Sequence, residues 1–211
     1  MKLLCHRGIW RQPQEKNSAA ALGAAIHQGL GIETDVRDMA GRLVISHDMP
    51  KGSSVLSLDE LLADVQRTGR RPTLALNIKA DGLHQALTQA LAEHGIDHHF
   101  VFDMAVPDAL GYARRGVPFA ARLSELEPRS PLLDAAPWVW LDAFESEWYG
   151  MDLIQALLAE GKQVAVVSPE LHGRPHGPLW AALQQLSTSA GVHLCTDFVD
   201  QALEVFDVTR D

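Results

Sequence analysis

Short apolar runs alternate with helix-period segments along the whole chain, and this alternation restricts the possible folds more than any other feature. Eight runs predict β-strands, at 3–7, 31–38, 73–79, 99–104, 118–124, 138–144, 163–169 and 192–198. Helical periodicity lies between them, in segments such as 18–29, 56–69, 83–95, 152–161 and 178–187. Because each helix would carry the chain back to start the next strand, the pattern predicts a parallel sheet.

Eight βα units close naturally into a (β/α)8 TIM barrel, and an open, doubly wound sheet is the alternative. We predict a single domain over residues 1–211, at the short end of the size range for this barrel. The run GRLVIS at 41–46 predicts a small strand that pairs back onto the second strand.

Composition narrows the classes of partner. Lys and Arg number 18 against 27 acids, for a formal charge of −9, so the mean field repels nucleic acid and anionic membrane surfaces. The N-terminus lacks a secretory signal pattern, and no apolar stretch is long enough to insert in a membrane. We therefore expect a cytoplasmic protein that acts on a small molecule, with Cys5 and Cys195 as buried thiols and no disulfide.

Polar side chains interrupt the predicted strands near their C-terminal ends. Strand alternation places Glu33 and Asp35 on one face, and likewise Asn77 and Lys79 on the third strand, while Asp142 lies late in the strand at 138–144. In a barrel, this end of the strands carries the catalytic residues. Two carboxylates that point inward need a bound cation or basic partners, so the pattern indicates a functional site.

The first strand ends at the same level with His6 and Arg7, a titratable ring beside a fixed cation. Gly8 follows them and allows the backbone to turn sharply away. We expect both side chains to lie where a substrate would bind.

The motifs HRG, N-S and E-T-D-V-R-D-x-x-G-R-L-V-I-S-H-D, in order over residues 6–48, resemble the signature of the glycerophosphodiester phosphodiesterase family. That family belongs to the barrel phosphodiesterases that include bacterial phosphatidylinositol phospholipases C. Later motifs SLDELL, NIK, FD and CTDF follow in the family's order. The resemblance implies a TIM barrel and a phosphoric diester hydrolase.

The resemblance also implies roles for individual side chains. The family's two catalytic histidines match His6 and His47, and its phosphate-binding cations match Arg7 and Lys79. Two imidazoles suit this chemistry, because one can deprotonate the nucleophile while the other protonates the leaving alkoxide. By the family's pattern, the nucleophile is the substrate's neighbouring hydroxyl, which gives a cyclic phosphate before water attacks.

The family's metal carboxylates match Glu33 and Asp35, which implies a divalent metal ion, Mg²⁺ or Ca²⁺. Asn77 stands where the family has a third metal carboxylate, so the site would carry one negative charge fewer. Asp142 is a weaker candidate for the missing metal ligand.

Three further departures concern the mouth of the barrel. Lys16 replaces a carboxylate of the family's P-E-N-T motif, which favours an anionic group there. The chain crosses 49–57 without the small insertion that family members often carry, so we expect an open pocket. The chain lacks the Trp that the family commonly carries on its seventh strand, but the segment that follows brings His172, Arg174 and His176 to the same rim.

Three functions are compatible with these residues. The leading prediction is a metal-dependent phosphodiesterase that hydrolyses a small soluble phosphodiester, of the glycerophosphodiester type. One alternative is a metal-dependent aldolase or isomerase on a sugar phosphate, with the cation on Glu33 and Asp35 and an enolate stabilised by Lys79. The other is a non-catalytic phosphoester-binding barrel, for which Asn77 is the argument.

Overall fold

The computed structural model describes residues 1–51, 55–186 and 188–210. Within these ranges the strands are β1 (Lys2–His6), β2 (Gly31–Met39), β3 (Arg42–Ile45), β4 (Leu74–Ile78), β5 (His99–Phe102), β6 (Ala120–Leu123), β7 (Trp138–Leu141), β8 (Gln163–Val167) and β9 (Val192–Thr196). The α-helices are α1 (Ala19–His27), α2 (Leu58–Thr68), α3 (His84–Glu93), α4 (Val106–Ala113), α5 (Pro131–Ala135), α6 (Met151–Ala159), α7 (Gly177–Leu183) and α8 (Val199–Val205). Short 3₁₀ turns span Pro13–Glu15, Pro169–His172 and Gln184–Leu186.

Eight of these strands form one parallel barrel. Hydrogen-bonded neighbours follow the order β5-β4-β2-β1-β9-β8-β7-β6. The ring closes where β5 meets β6, through a parallel bridge between Val101 and Phe119 and a 3.0 Å hydrogen bond from Val101 N to Pro118 O. The predicted TIM barrel is therefore confirmed, and the open sheet is excluded by this closure. The remaining strand, β3, pairs antiparallel with β2, as predicted from GRLVIS.

Local signals explain where helices begin and end. At α2, Ser57 Oγ accepts a hydrogen bond from Glu60 N at 3.2 Å, while the Glu60 carboxylate accepts one from Ser57 N at 2.8 Å. This capping box satisfies two backbone N–H groups that the first turn leaves open. Gly69 then ends the helix in the left-handed region, at φ 66°. Among the described residues, no helix combines the length and the apolarity needed to cross a membrane.

Two apolar layers hold the barrel together. The larger lies between strands and helices, where residues such as Leu22, Leu62 and Val166 are fully buried. The smaller fills the barrel interior, where Phe102 stacks on Trp140 with 4.0 Å between ring centroids. Phe100 stacks similarly on Trp138, at 4.2 Å. Aromatic rings thus fill the interior of the barrel.

The two cysteines lie on adjacent strands, as the barrel prediction requires. Leu4 of β1 pairs in register with Cys195 of β9, and Cys5 follows Leu4. Both thiols are free and buried, and burial raises the pKa of each thiol above its usual value. They are inert packing groups by this criterion.

Candidate active site

The inward-facing positions of the strands change from apolar to polar residues towards the C-terminal ends of the strands. On five strands an inward apolar residue is followed, two positions later, by a polar one: Leu4 by His6, Ala75 by Asn77, Ala120 by Arg122, Trp140 by Asp142, and Cys195 by Asp197. These polar side chains stand at the C-terminal ends of the strands, and the Phe102 and Trp140 rings lie among them. Together with Glu33 and Arg7, several of them line a cavity of about 370 Å³, here called the mouth cavity.

Arg7 and Lys79 lie just past the ends of their strands, whereas the sequence pattern predicts both inside them. Arg7 adopts the left-handed region at φ 58°, directly after β1. Gly8 follows at φ 94°, and a Cβ there would lie 2.4 Å from the backbone carbon of Ala21. Gly8 therefore permits both the turn and the close approach of α1.

His6 is fixed by a carboxylate from the last strand. Its Nδ1 lies 2.6 Å from Asp197 Oδ1, and Lys16 Nζ donates to Asp197 Oδ2 at 3.0 Å. Burial alone would raise the pKa of Asp197, but the hydrogen bonds from His6 and Lys16 outweigh it and lower that pKa. An ionised carboxylate only accepts hydrogen bonds, so this pairing assigns the proton to Nδ1 of His6. In the neutral ring, Nε2 then keeps a free lone pair.

Asp35 is the centre of a cluster of cations. Its side chain is fully buried, and Asn17 Nδ2 donates to Oδ2 at 2.8 Å. Arg7 Nε lies 2.9 Å from the same oxygen as an ion pair without hydrogen-bond alignment, and Lys79 Nζ lies 3.4 Å from Oδ1. Asn17 is itself in the left-handed region, at φ 62°. Two unusual backbone conformations therefore serve to aim side chains at one carboxylate.

Glu33 lies beside this cluster and has fewer polar partners than Asp35. It is 2% exposed, and its Oε2 is 3.8 Å from His6 Nε2. Asn77 Nδ2 makes only a long contact to Oε1, at 3.4 Å. Burial raises the pKa of Glu33, and the Asp35 charge adds to the rise while His6, Arg7 and Lys79 oppose it.

Three buried oxygens at this point have no hydrogen-bond partner: Glu33 Oε2, Asp35 Oδ1 and Asn77 Oδ1. Carboxylate and amide oxygens are ligands that Mg²⁺ and Ca²⁺ accept. The described residues contain no group of three or more His, Cys, Asp or Glu placed to hold a metal ion. The residues present therefore fit a hard divalent cation only if the amide oxygen of Asn77 joins the two carboxylates.

Asp142 does not complete that set in the described part of the chain. Its side chain is buried, and Oδ1 accepts hydrogen bonds from Ala143 N at 2.9 Å and from His172 Nε2 at 2.7 Å. Asp142 lines the mouth cavity but is engaged with His172. Of the other two residues named in that loop, Arg174 bonds the backbone of Ala143, and His176 packs 4.2 Å from the Trp180 ring.

His47 lies outside the mouth cavity. Its ring is 48% exposed, and its Nδ1 lies 2.8 Å from Oδ1 of Asp48, which is 90% exposed. It lines a second cavity of about 850 Å³, which Arg7 and Lys16 also border. The structure therefore brings His6, Glu33 and Asn77 together at the mouth and places His47 at an adjoining cavity, which shares Arg7 and Lys16 with the mouth cavity.

Two side chains of the site were missed by sequence reasoning. Asp197 lies in the motif CTDF, which by itself indicates no partner, yet it follows the strand adjacent to β1. Arg122 lines the mouth cavity, pairs with Asp103 and lies 5.3 Å from the centroid of the Phe144 ring. Its signal was a lone charge at an inward position of an otherwise apolar strand. Asp103 in turn lies 3.8 Å from Lys79 Nζ.

Comparison with known proteins found similarity only at the level of structure, because no family model and no curated protein matches the chain. A glycerophosphodiester phosphodiesterase from Agrobacterium tumefaciens is 19% identical with a TM-score of 0.72, over 97% of this chain and 98% of that chain. An Oleispira antarctica phosphodiesterase, solved with the product sn-glycerol-3-phosphate, is 15% identical with a TM-score of 0.67, over 97% and 96%.

Two further solved structures share the fold but differ in activity. A Ca²⁺-dependent phosphatidylinositol-specific phospholipase C from Streptomyces antibioticus is 11% identical with a TM-score of 0.57, over 96% of this chain and 95% of that chain. A tryptophan synthase from M. tuberculosis is 15% identical with a TM-score of 0.58, over 96% and 85%. One fold thus carries unrelated reactions, and function has to be argued from the site. The chain shares the barrel fold of the glycerophosphodiester phosphodiesterases.

Proposed function

We propose that the protein is a phosphodiesterase that hydrolyses a small phosphodiester of the glycerophosphodiester type. The observation that carries the proposal is the combination at the mouth of the barrel: His6, held by Asp197, lies beside three unbonded oxygens and the cations Arg7 and Lys79. The order of the sequence motifs and the fold shared with solved phosphodiesterases support the same reaction.

A phosphodiester is anionic, so a catalyst has to stabilise charge that builds on its non-bridging oxygens. Arg7 and Lys79 are the fixed cations for this purpose, because Asp35 holds both of them at the rim. Glu33, Asp35 and Asn77 would hold the divalent metal ion, Mg²⁺ or Ca²⁺. Such an ion, when bound, supplies Lewis-acid stabilisation of the phosphoryl oxygens.

His6 is the general base of the proposal. Its Nδ1 proton is directed to Asp197, so Nε2 is the nitrogen that accepts a proton from the nucleophile. The Asp197 charge also stabilises the imidazolium that forms. The nucleophile is the substrate's neighbouring hydroxyl or a water molecule. The second proton transfer, to the leaving alkoxide, requires a second acid, and the sequence resemblance gives that role to His47.

The test is a panel of phosphodiesters followed by ³¹P NMR, which detects both monoester products and any cyclic intermediate. We expect turnover of a glycerophosphodiester with Mg²⁺ or Ca²⁺, loss of turnover with chelator, and loss with His6→Ala. His27→Ala is the matched control, because His27 pairs with Asp64 on the surface in a similar manner. A rate unchanged by both chelator and His6→Ala would refute the proposal.

A non-catalytic phosphoester-binding barrel is the second candidate. It is favoured by one observation, that Asp35 is already occupied by Arg7, Lys79 and Asn17. Such a protein would bind sn-glycerol-3-phosphate in calorimetry but would turn over no diester with any divalent metal ion.

A further inference from the structure

Asp197, the carboxylate that holds His6, stands one residue past the end of β9. The register between β1 and β9 ends where Cys5 meets Thr196, so the strand ladder does not extend to Asp197. The backbone N–H of Asp197 instead donates to Glu170 Oε1 at 3.2 Å. A carboxylate from another segment therefore holds the backbone at the point from which the Asp197 side chain projects.

Glu170 lies in the 3₁₀ turn Pro169–His172, which follows β8, and three donors converge on its carboxylate. Oε1 accepts hydrogen bonds from the Thr196 hydroxyl and from Asp197 N, and Oε2 accepts one from the Ser168 hydroxyl. Both oxygens of an ionised carboxylate only accept hydrogen bonds, so this one side chain satisfies all three donors. Glu170 thereby ties the end of β8 to the end of β9.

The two hydroxyl groups have fixed directions. Ser168 Oγ already accepts a hydrogen bond from Trp180 Nε1 at 2.8 Å, and Thr196 Oγ1 accepts one from Phe198 N at 3.0 Å. Each hydroxyl proton therefore points to Glu170. Ser168 and Thr196 are fully buried, so without Glu170 their hydroxyl protons would have no acceptor from the chain and little access to water. The arrangement is rigid for this reason.

The other partner of Asp197 is less able to fix its position. Lys16 Nζ donates to Asp197 Oδ2 at 3.0 Å, but it stands at the end of a long side chain that is 22% exposed. Lys16 balances the charge of Asp197, whereas Glu170 holds its backbone. In the described part of the chain, Glu170 is not among the residues that line the mouth cavity. Any effect of Glu170 on a reaction there has to pass through Asp197.

We propose that Glu170 is a positioning residue for the pair of His6 and Asp197; the inference deepens the proposed phosphodiesterase function and rests on it. By binding Asp197 N and the Thr196 hydroxyl, Glu170 sets where the Asp197 carboxylate stands relative to the His6 ring. Without this anchor the carboxylate shifts, and a misplacement of about 1 Å in such a group can cost on the order of 100-fold in rate.

A double-mutant cycle with Asp197 tests the assignment. We expect Glu170→Ala to lower kcat on a glycerophosphodiester roughly 10- to 100-fold, with KM within about threefold of wild type. In an Asp197→Ala protein the same change should lower kcat by less than about threefold, because no carboxylate is left to position. Glu170→Gln should stay within about fivefold of wild type, since its amide oxygen still accepts hydrogen bonds and about one neutral hydrogen bond is lost.

The ¹⁵N NMR spectrum of the His6 ring supplies a readout that needs no turnover, because the proton position depends on the hydrogen bond to Asp197. The Nδ1–H form should dominate in wild type and in Glu170→Gln, and lose its dominance in Glu170→Ala. Glu170→Asp keeps the charge but withdraws the carboxylate by one methylene, and it replaces Glu170→Ala if that variant does not fold. We expect it to lower kcat and change the ring in the same direction.

Glu160→Ala is the matched control, because the Glu160 carboxylate accepts hydrogen bonds from Arg129 on the surface. It should keep both the rate and the ring form of wild type. A Glu170→Ala protein with wild-type kcat and an unchanged ring would overturn the assignment. Equal losses of kcat with and without the Asp197 carboxylate would overturn it as well, because they indicate a purely structural role. A wild-type protein that cleaves no diester would refute the proposed function, whereas the ring spectrum would still decide whether Glu170 positions Asp197.

Discussion

Asp197→Asn tests whether the carboxylate of the last strand sets the working state of His6. The hydrogen bond between His6 Nδ1 and Asp197 Oδ1 is 2.6 Å, and the Asp197 side chain is 14% exposed. A hydrogen bond that involves a charged group contributes about 1.5–3 kcal/mol. If the whole of this free energy stabilises the transition state, its loss corresponds to a decrease of roughly 10- to 160-fold in kcat/KM. Lys16 also loses its ionic partner in this variant.

Two measurements check the result together. Steady-state hydrolysis of a glycerophosphodiester gives kcat/KM, and ¹⁵N NMR of the His6 ring reports which nitrogen carries the proton. We expect the rate to fall and the Nδ1–H form to lose its dominance. Asp64→Asn is the control, because Asp64 faces His27 at 3.3 Å on the surface. An Asp197→Asn protein with the wild-type rate and the same ring tautomer would refute the reasoning.

Three other results follow from the structure. Asn77→Asp adds a third carboxylate beside Glu33 and should strengthen Ca²⁺ binding about tenfold in calorimetry; unchanged affinity would show that Asn77 is not a ligand. Because the pKa of Asp197 is lowered in the folded state, its contribution to stability is present above its unfolded pKa of about 4 and is lost as pH falls through the lowered value. Urea unfolding of Asp197→Asn should therefore show less loss of stability than wild type as the pH falls below about 4. Ser57→Ala removes the cap of α2 and should cost about 1 kcal/mol in the free energy of unfolding, and a cost near zero in urea denaturation would contradict the role of the capping box.

Local pattern was sufficient for most of the fold. Each predicted strand overlaps an observed one, and alternation placed Glu33, Asp35 and Asn77 at the correct end of the barrel. The boundaries were less accurate, because Arg7 and Lys79 each lie one residue past the end of a strand, although their backbone N–H groups still donate to Glu33 O and Val36 O of β2. The helices α4, α5 and α8 were not among the predicted segments; they are eight residues or shorter, so each offers few turns from which a helical period can be recognised.

The partners of the site residues could not be read from the sequence in the same way. Asp197 meets His6 across 191 residues, and Asp142 meets His172 across 30. Such pairs depend on which strands become neighbours and on the height at which each strand ends. The register between β1 and β9 supplies that information, and it exists only in the closed barrel.

The stacked rings of Phe100, Trp138, Phe102 and Trp140 fill the interior of the barrel. A diester would therefore enter, and its monoester and alcohol products depart, over the same rim. Because substrate and product use the same opening and both carry a phosphate, the monoester product competes with the next substrate for Arg7 and Lys79. We therefore expect the rate to decrease during a progress curve through product inhibition as the monoester accumulates. Turnover should accordingly be measured from initial velocities.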